Sequence, residues 1–230
     1  DMMVIGAYSD DDNGSAYIFT RDTAGDLTSN WTQVESKLRG DDGGLSDFFG
    51  FSVSIDGDTV VIGAYVDDNY KGSAYVFTRV TAGDLTSNWT QVAKLTADNG
   101  GASDWFGESV AISGDTVVIG AQKDDDKGTD SGSAYVFTRD TAGDLASGWT
   151  QVESKLTAGD HGRTGDLFGI SVSIDGDTVV IGAHSMGAYN ADNIGSAYVF
   201  TLPSPCDASS PPANGAIGEC TSSVASGSSC

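Results

Sequence analysis

The octet GSAYVFTR stands at residues 72–79 and again at 132–139, and it returns as GSAYIFTR at 14–21 and GSAYVFTL at 195–202. Repetition at a fixed interval constrains a chain more than any single motif. Each unit must bury its apolar face against the next copy of itself. Two further markers recur in the same order: the pairs Phe49-Gly50, Phe106-Gly107 and Phe168-Gly169, and a V-I-G-A run ending at Ala7, Ala64, Ala121 and Ala183. The alanines lie 57, 57 and 62 residues apart and the Phe-Gly pairs 57 and 62, so independent markers define one repeat.

Within a unit the pattern is that of short strands. FGFSVSI (49–55) alternates apolar and small residues, as a half-buried strand does. Asp56-Gly57 follows as a two-residue hairpin turn that accepts positive φ. TVVIGAY (59–65) is nearly continuous in β-branched residues and is expected to be buried on both faces. The acidic loop VDDNYKG leads to the third strand, SAYVFTR. The polar turn TAGDLTSN then leads to a fourth strand, WTQVAKLTA (89–97). Four antiparallel strands per repeat is the arithmetic of a β-propeller blade, so the expected fold is all-β. A chain with 31 Gly and only 4 Pro, its apolar residues dominated by Val, Ile, Phe and Tyr, has the composition for it.

FGFSVSIDGDTVVIGAYVDDNYKGSAYVFTR resembles an FG-GAP repeat, the unit of the integrin α-chain head propeller. The resemblance covers residues 1–201 through F-G, G-A and G-S-A-Y-V-F in order. It implies a propeller, usually seven-bladed, that works outside the cell in adhesion or recognition. The first unit lacks its F-G strand and the last lacks its W-T-Q strand, which leaves strands for about 3.5 blades. A seven-bladed ring at this period needs roughly 400 residues. Residues 1–201 therefore read as the C-terminal half of a larger propeller, with a W-T-Q strand from the N-terminus of the full ring completing the last blade.

From Leu202 the composition turns to Ser, Pro, Gly and Cys. All 3 cysteines, Cys206, Cys220 and Cys230, lie in residues 202–230. CDASSPPANGAIGEC (206–220) resembles the opening of a sushi-like module, and a Ser/Pro-rich linker is the alternative. An odd number of cysteines leaves the pairing open, and their use favours an oxidising, extracellular setting.

Charge excludes several function classes. Against 33 Asp and Glu stand 11 Lys and Arg, a net charge of −22. Phosphate contacts need a basic footprint, so no nucleic-acid partner is expected. No apolar run approaches the ~20 residues of a membrane-spanning helix, and no membrane insertion is expected from this segment. The 2 histidines, His161 and His184, are separated and sit in unlike contexts. Carboxylates that recur unit after unit lack the asymmetry of a catalytic pair, so no enzyme activity is expected.

Three sets of residues remain as candidates. Asp10 and Asp12 in the first acidic loop, and Asp124, Asp126 and Asp130 in the third, are hard oxygen donors at spacings that suit Ca2+. The resemblance argues otherwise. Calcium-binding blades of the family carry D-x-D-x-D-G-x-x-D between F-G and G-A, and here that segment is a bare IDGD or ISGD turn. Trp31, Trp89 and Trp149 open successive fourth strands, where they serve either inter-blade packing or stacking on sugars. Trp105, at the position of Phe48 and Leu167, reads as core. Asn13, Asn30 and Asn88 head N-glycosylation sequons. The expected function is an extracellular structural or adhesive protein whose partners are other proteins or copies of itself. A glycan-binding propeller and a calcium-stabilised adhesion module are the rivals.

Overall fold

The computed structural model describes residues 1–34, 37–42, 44, 46–152, 155–159, 162–184 and 195–203. The three cysteines, the sushi-like stretch and His161 lie outside the described residues. Among the described residues fourteen strands form four antiparallel sheets. The first holds β1 (Met2–Ala7), β2 (Ser15–Arg21) and β3 (Trp31–Gln33). The second holds β4 (Ser52–Asp56), β5 (Thr59–Ala64), β6 (Ser73–Arg79) and β7 (Trp89–Leu95). The third holds β8 (Phe106–Ser113), β9 (Thr116–Ala121), β10 (Ser133–Arg139) and β11 (Trp149–Gln151). The fourth holds β12 (Phe168–Asp175), β13 (Thr178–Ala183) and β14 (Ser196–Thr201). Neighbours in sequence are neighbours in each sheet, so every sheet is an up-and-down meander, a propeller blade of three or four strands.

Alternation along the second strand divides its side chains between two cores. Val60 and Ile62 pack with Ala16, Ile18 and Phe49 on the side of the first blade. Val61 packs with Phe106, Ile119 and Tyr135 on the side of the third. β5 is accordingly buried throughout, as a strand without polar alternation should be. In the last blade β13 carries the same residues, but Val179 and Ile181 are buried while Val180 is 40 % exposed. One face of that sheet has a neighbour and the other has none among the described residues.

Glycines set how closely the blades approach. A Cβ on Gly63 would collide with the carbonyl oxygen of Gly107 in the next blade, and Gly6 and Gly120 stand in the same relation to Gly50 and Gly169. Gly50, Gly107 and Gly169 hold φ of 90°, 90° and 93°, and the carbonyls of Ser15, Ser73 and Ser133 lie where a side chain would go. Hydrogen bonds lock this seam. Phe106 N–H donates to the Lys71 carbonyl at 3.0 Å and Phe168 N–H to Ser131 at 3.0 Å. Ser52 Oγ donates to the Gly107 carbonyl at 2.8 Å and Ser109 Oγ to Gly169 at 2.7 Å. F-G and G-A are therefore two halves of one inter-blade contact. Its cost in Gly–Gly backbone approach explains why both markers recur together.

The fourth strands depart most from expectation. β7 runs for seven residues, but β3 and β11 for three, each prolonged by a single bridge, Ala16 to Leu38 and Ala134 to Leu156. Outermost strands are paired on one side only, so they are the strands that fray or shorten first.

Candidate functional site

In the first three blades the acidic loops lie between the V-I-G-A and G-S-A-Y-V-F strands, and the structure shows what neutralises them, while the loop of the last blade lies outside the described residues. Asp10 accepts from the Tyr17 hydroxyl at 2.6 Å and from Lys37 Nζ at 2.9 Å. In the third blade Asp124 accepts from Tyr135 at 2.8 Å and Lys155 at 2.7 Å, and Lys155 also meets Asp126 at 2.5 Å. In the second, Lys94 lies 2.6 Å from Asp67 and bonds Asp42, which takes the Tyr75 hydroxyl at 2.9 Å. The ammonium of Lys94 stands 5.3 Å from the Tyr75 ring centroid and that of Lys155 5.4 Å from Tyr135. Each of the first three blades thus has one lysine, delivered from the fourth-strand segment, at the centre of an acid–tyrosine cage.

Electrostatics follow the geometry. The Tyr17 hydroxyl first, then Lys37, hold the Asp10 carboxyl at about 2. Burial pushes the Asp124 carboxyl up, but Lys155, the Asp126 N–H and Tyr135 outweigh it, and the net shift is downward. Burial likewise opposes charge on Lys94, yet Asp42 and Asp67 raise it well above the ordinary lysine range. Contact with a counter-charge thus outweighs desolvation at Asp124 and at Lys94.

Of the residues expected to suit calcium, Asp10, Asp124 and Asp126 are engaged by these lysines. Asp130 faces Lys123 at 3.2 Å. Asp12 is exposed, and its carbonyl accepts the Ser46 N–H at 3.0 Å. Among the described residues no three His, Cys, Asp or Glu side chains converge as a metal cluster would. The lysines carry a signal in sequence, since Lys-Leu recurs at 37–38, 94–95 and 155–156. It is read only once their partners are known.

The recurrent tryptophans are engaged too. Arg79, whose side chain is 0 % exposed, bonds Asp58 at 2.6 Å and the Asp84 carbonyl at 2.6 Å. Its guanidinium lies 4.9 Å from the Trp89 ring centroid. Arg139 repeats this with Asp115 at 2.6 Å and Trp149 at 4.5 Å, and it also donates to Thr59 of the preceding blade at 2.9 Å. Arg21 pairs with Asp1 at 2.8 Å over Trp31 at 4.5 Å. The sequence holds a cue to this corner. The one octet that ends in Leu202 instead of Arg belongs to the unit without a W-T-Q strand.

Trp105 differs from the core role expected of it. It is half-buried at φ 60°, with its ring 5.1 Å from Tyr65 and 6.5 Å from Tyr70. Nearby Glu108 occupies the place of Phe51 and Ile170, and burial pushes its carboxyl up to about 7. Of the sequon asparagines, Asn30 and Asn88 are exposed in equivalent outer turns, whereas Asn13 is half-buried beside the fully buried Ser15. His184 ends no cluster among the described residues.

The family model described as FG-GAP repeat matches residues 31–77, 89–137 and 149–200. Each match starts on a W-T-Q strand and ends on a G-S-A-Y-V-F strand, so the sequence repeat spans the outer strand of one blade and three strands of the next. No curated protein matches the chain.

Proposed function

This chain belongs to the FG-GAP repeat family, whose repeats are found in extracellular adhesion proteins such as integrins, and from that premise we propose that it is an extracellular structural or adhesive protein whose blades make protein–protein contacts. The observation that carries this reading is the commitment of the recurrent reactive groups to internal partners. Lysines 37, 94 and 155, arginines 21, 79 and 139 and the acids beside them hold one another. Such groups build a rigid platform and leave recognition to the variable loops and turns, as in other scaffolds that present loops on stacked sheets. Among the described residues no helix is long and apolar enough to cross a membrane.

The partner is another protein of the extracellular assembly or a second copy of this chain. Beads coated with the 230-residue chain test this against beads coated with albumin. Saturable clustering, or saturable capture on extracellular matrix from the producing cells, at ~150 mM salt is the expected result. If coated beads neither cluster nor bind matrix above the albumin level, the adhesive reading fails.

A further inference from the structure

Four departures from the repeat fall at the junction between the second and third blades. Trp105 replaces Phe48 and Leu167, Glu108 replaces Phe51 and Ile170, Gln122 replaces Tyr8 and Tyr65, and Lys123 replaces Ser9 and Val66. Four substitutions within one inter-blade contact are a place to look for a role beyond stacking.

A groove of about 420 Å³ opens there, lined by Tyr70, Ser103, Trp105, Lys123, Asp125 and Asp130. Tyr70 is 44 % exposed and is the last of three successive residues at positive φ: Asp68 at 48°, Asn69 at 59° and Tyr70 at 63°. Bulky residues in that region cost roughly 1–2 kcal/mol each. The strain is held by a cross-blade bond, Trp105 N–H to the Tyr70 carbonyl at 3.0 Å. The two rings stand 6.5 Å apart at 31° and make an open V. Lys123 places its ammonium 5.2 Å from the Trp105 ring centroid and 3.2 Å from the Asp130 carboxylate. Asp130 N–H donates to Asp125 Oδ1 at 2.7 Å, which joins the second carboxylate to the rim.

These groups narrow the ligand by elimination. A cation finds its position over Trp105 and against Asp130 already filled by Lys123. An anion meets Asp125, Asp130 and a molecule of net charge −22. A wholly apolar ligand would strip water from two carboxylates and give no hydrogen bond in return. What remains is a neutral ligand with a flat C–H face and a hydroxyl edge. The geometry points to the pyranose ring of a neutral saccharide. Its C–H face meets the negative face of Tyr70, whose exposed ring is the platform. Its hydroxyls donate to Asp125 and Asp130 and accept from Lys123. The volume lies within the ~300–1,000 Å³ usual for small-ligand sites. The recurrent tryptophans do not offer this site, because arginine lies over Trp31, Trp89 and Trp149.

Titration of the full chain with hexasaccharides of neutral glucose, mannose and galactose, followed by tryptophan fluorescence and isothermal calorimetry, tests the assignment. A hexauronate and a chitosan hexamer serve as charged probes. Saturable binding of at least one neutral hexamer is expected. Tyr70→Asn removes the ring but keeps a residue tolerant of left-handed backbone, and Asp125→Asn removes one charge. Each is expected to weaken binding about tenfold, while Trp31→Phe leaves it unchanged. No saturable binding to any neutral hexamer, tighter binding of either charged probe, or full affinity in Tyr70→Asn overturns the proposal.

Discussion

At the scale of single residues, Gly107 and Glu108 sit side by side and do opposite things. Gly107 combines φ of 90° with the Ser73 carbonyl at the place of its absent Cβ. Gly107→Ala is expected to cost about 3 kcal/mol, from left-handed strain together with overpacking against backbone. Gly83 also holds positive φ, 73°, but has open space around it. Gly83→Ala is expected to cost only about 1 kcal/mol, so urea midpoints of the two variants separate strain from collision. Glu108 favours the neutral carboxyl because burial raises it to about 7 from an ordinary 4.5. Its folded value lies above its unfolded value, so its contribution is full below about 4.5 and is lost as pH rises through about 7. Glu108→Gln should flatten that fall. After allowing for water's partial access, the gain at pH 8 is on the order of 1–2 kcal/mol, read from thermal unfolding at pH 5 and pH 8.

At the scale of elements, the acidic loop and the fourth-strand segment form one electrostatic unit in each of the first three blades. The cation that neutralises the acidic loop of each of the first three blades is a lysine, and it is covalently part of the chain. The melting temperature is therefore expected to be the same in millimolar EDTA and in millimolar Ca2+. A drop of several degrees on chelation would show that the loops hold a divalent ion after all. Removing the tethered cation is the sharper perturbation. Lys94→Met leaves Asp42 and Asp67 facing each other without it, at an expected cost of about 2 kcal/mol. Added Ca2+ should recover little of that stability, because two carboxylates fall short of the six to eight oxygens the ion requires.

At the scale of the molecule, three apolar cores between four sheets work against a net charge of −22. The internal ion pairs are short and partly buried, so salt screens them weakly. Repulsion among the exposed carboxylates acts through solvent and is screened strongly. Raising salt from ~10 to ~150 mM shortens the Debye length from about 30 to 8 Å. The melting temperature should therefore rise over that range. A fall would mean that surface attractions outweigh the net repulsion.

By itself the sequence determined the repeat, the order of strands, the DG hairpin turns and the sheet pairing. Those depend on period-two alternation and on turn residues, which act over a few positions of chain. The first and last units, short of one strand each, also appear in the structure as three-stranded sheets. Tertiary structure decided the partners. Periodicity says which face a side chain is on, but not what meets it there. Lys94 finds Asp42 across 52 positions and Arg139 finds Thr59 across 80. For that reason the carboxylates of Asp10 and Asp124 read as free donors until the lysines were placed. Sequence leaves Trp31, Trp89 and Trp149 between inter-blade packing and stacking on sugars, and the fold sets an arginine over each ring, while Trp105, a core position by sequence, lines a groove.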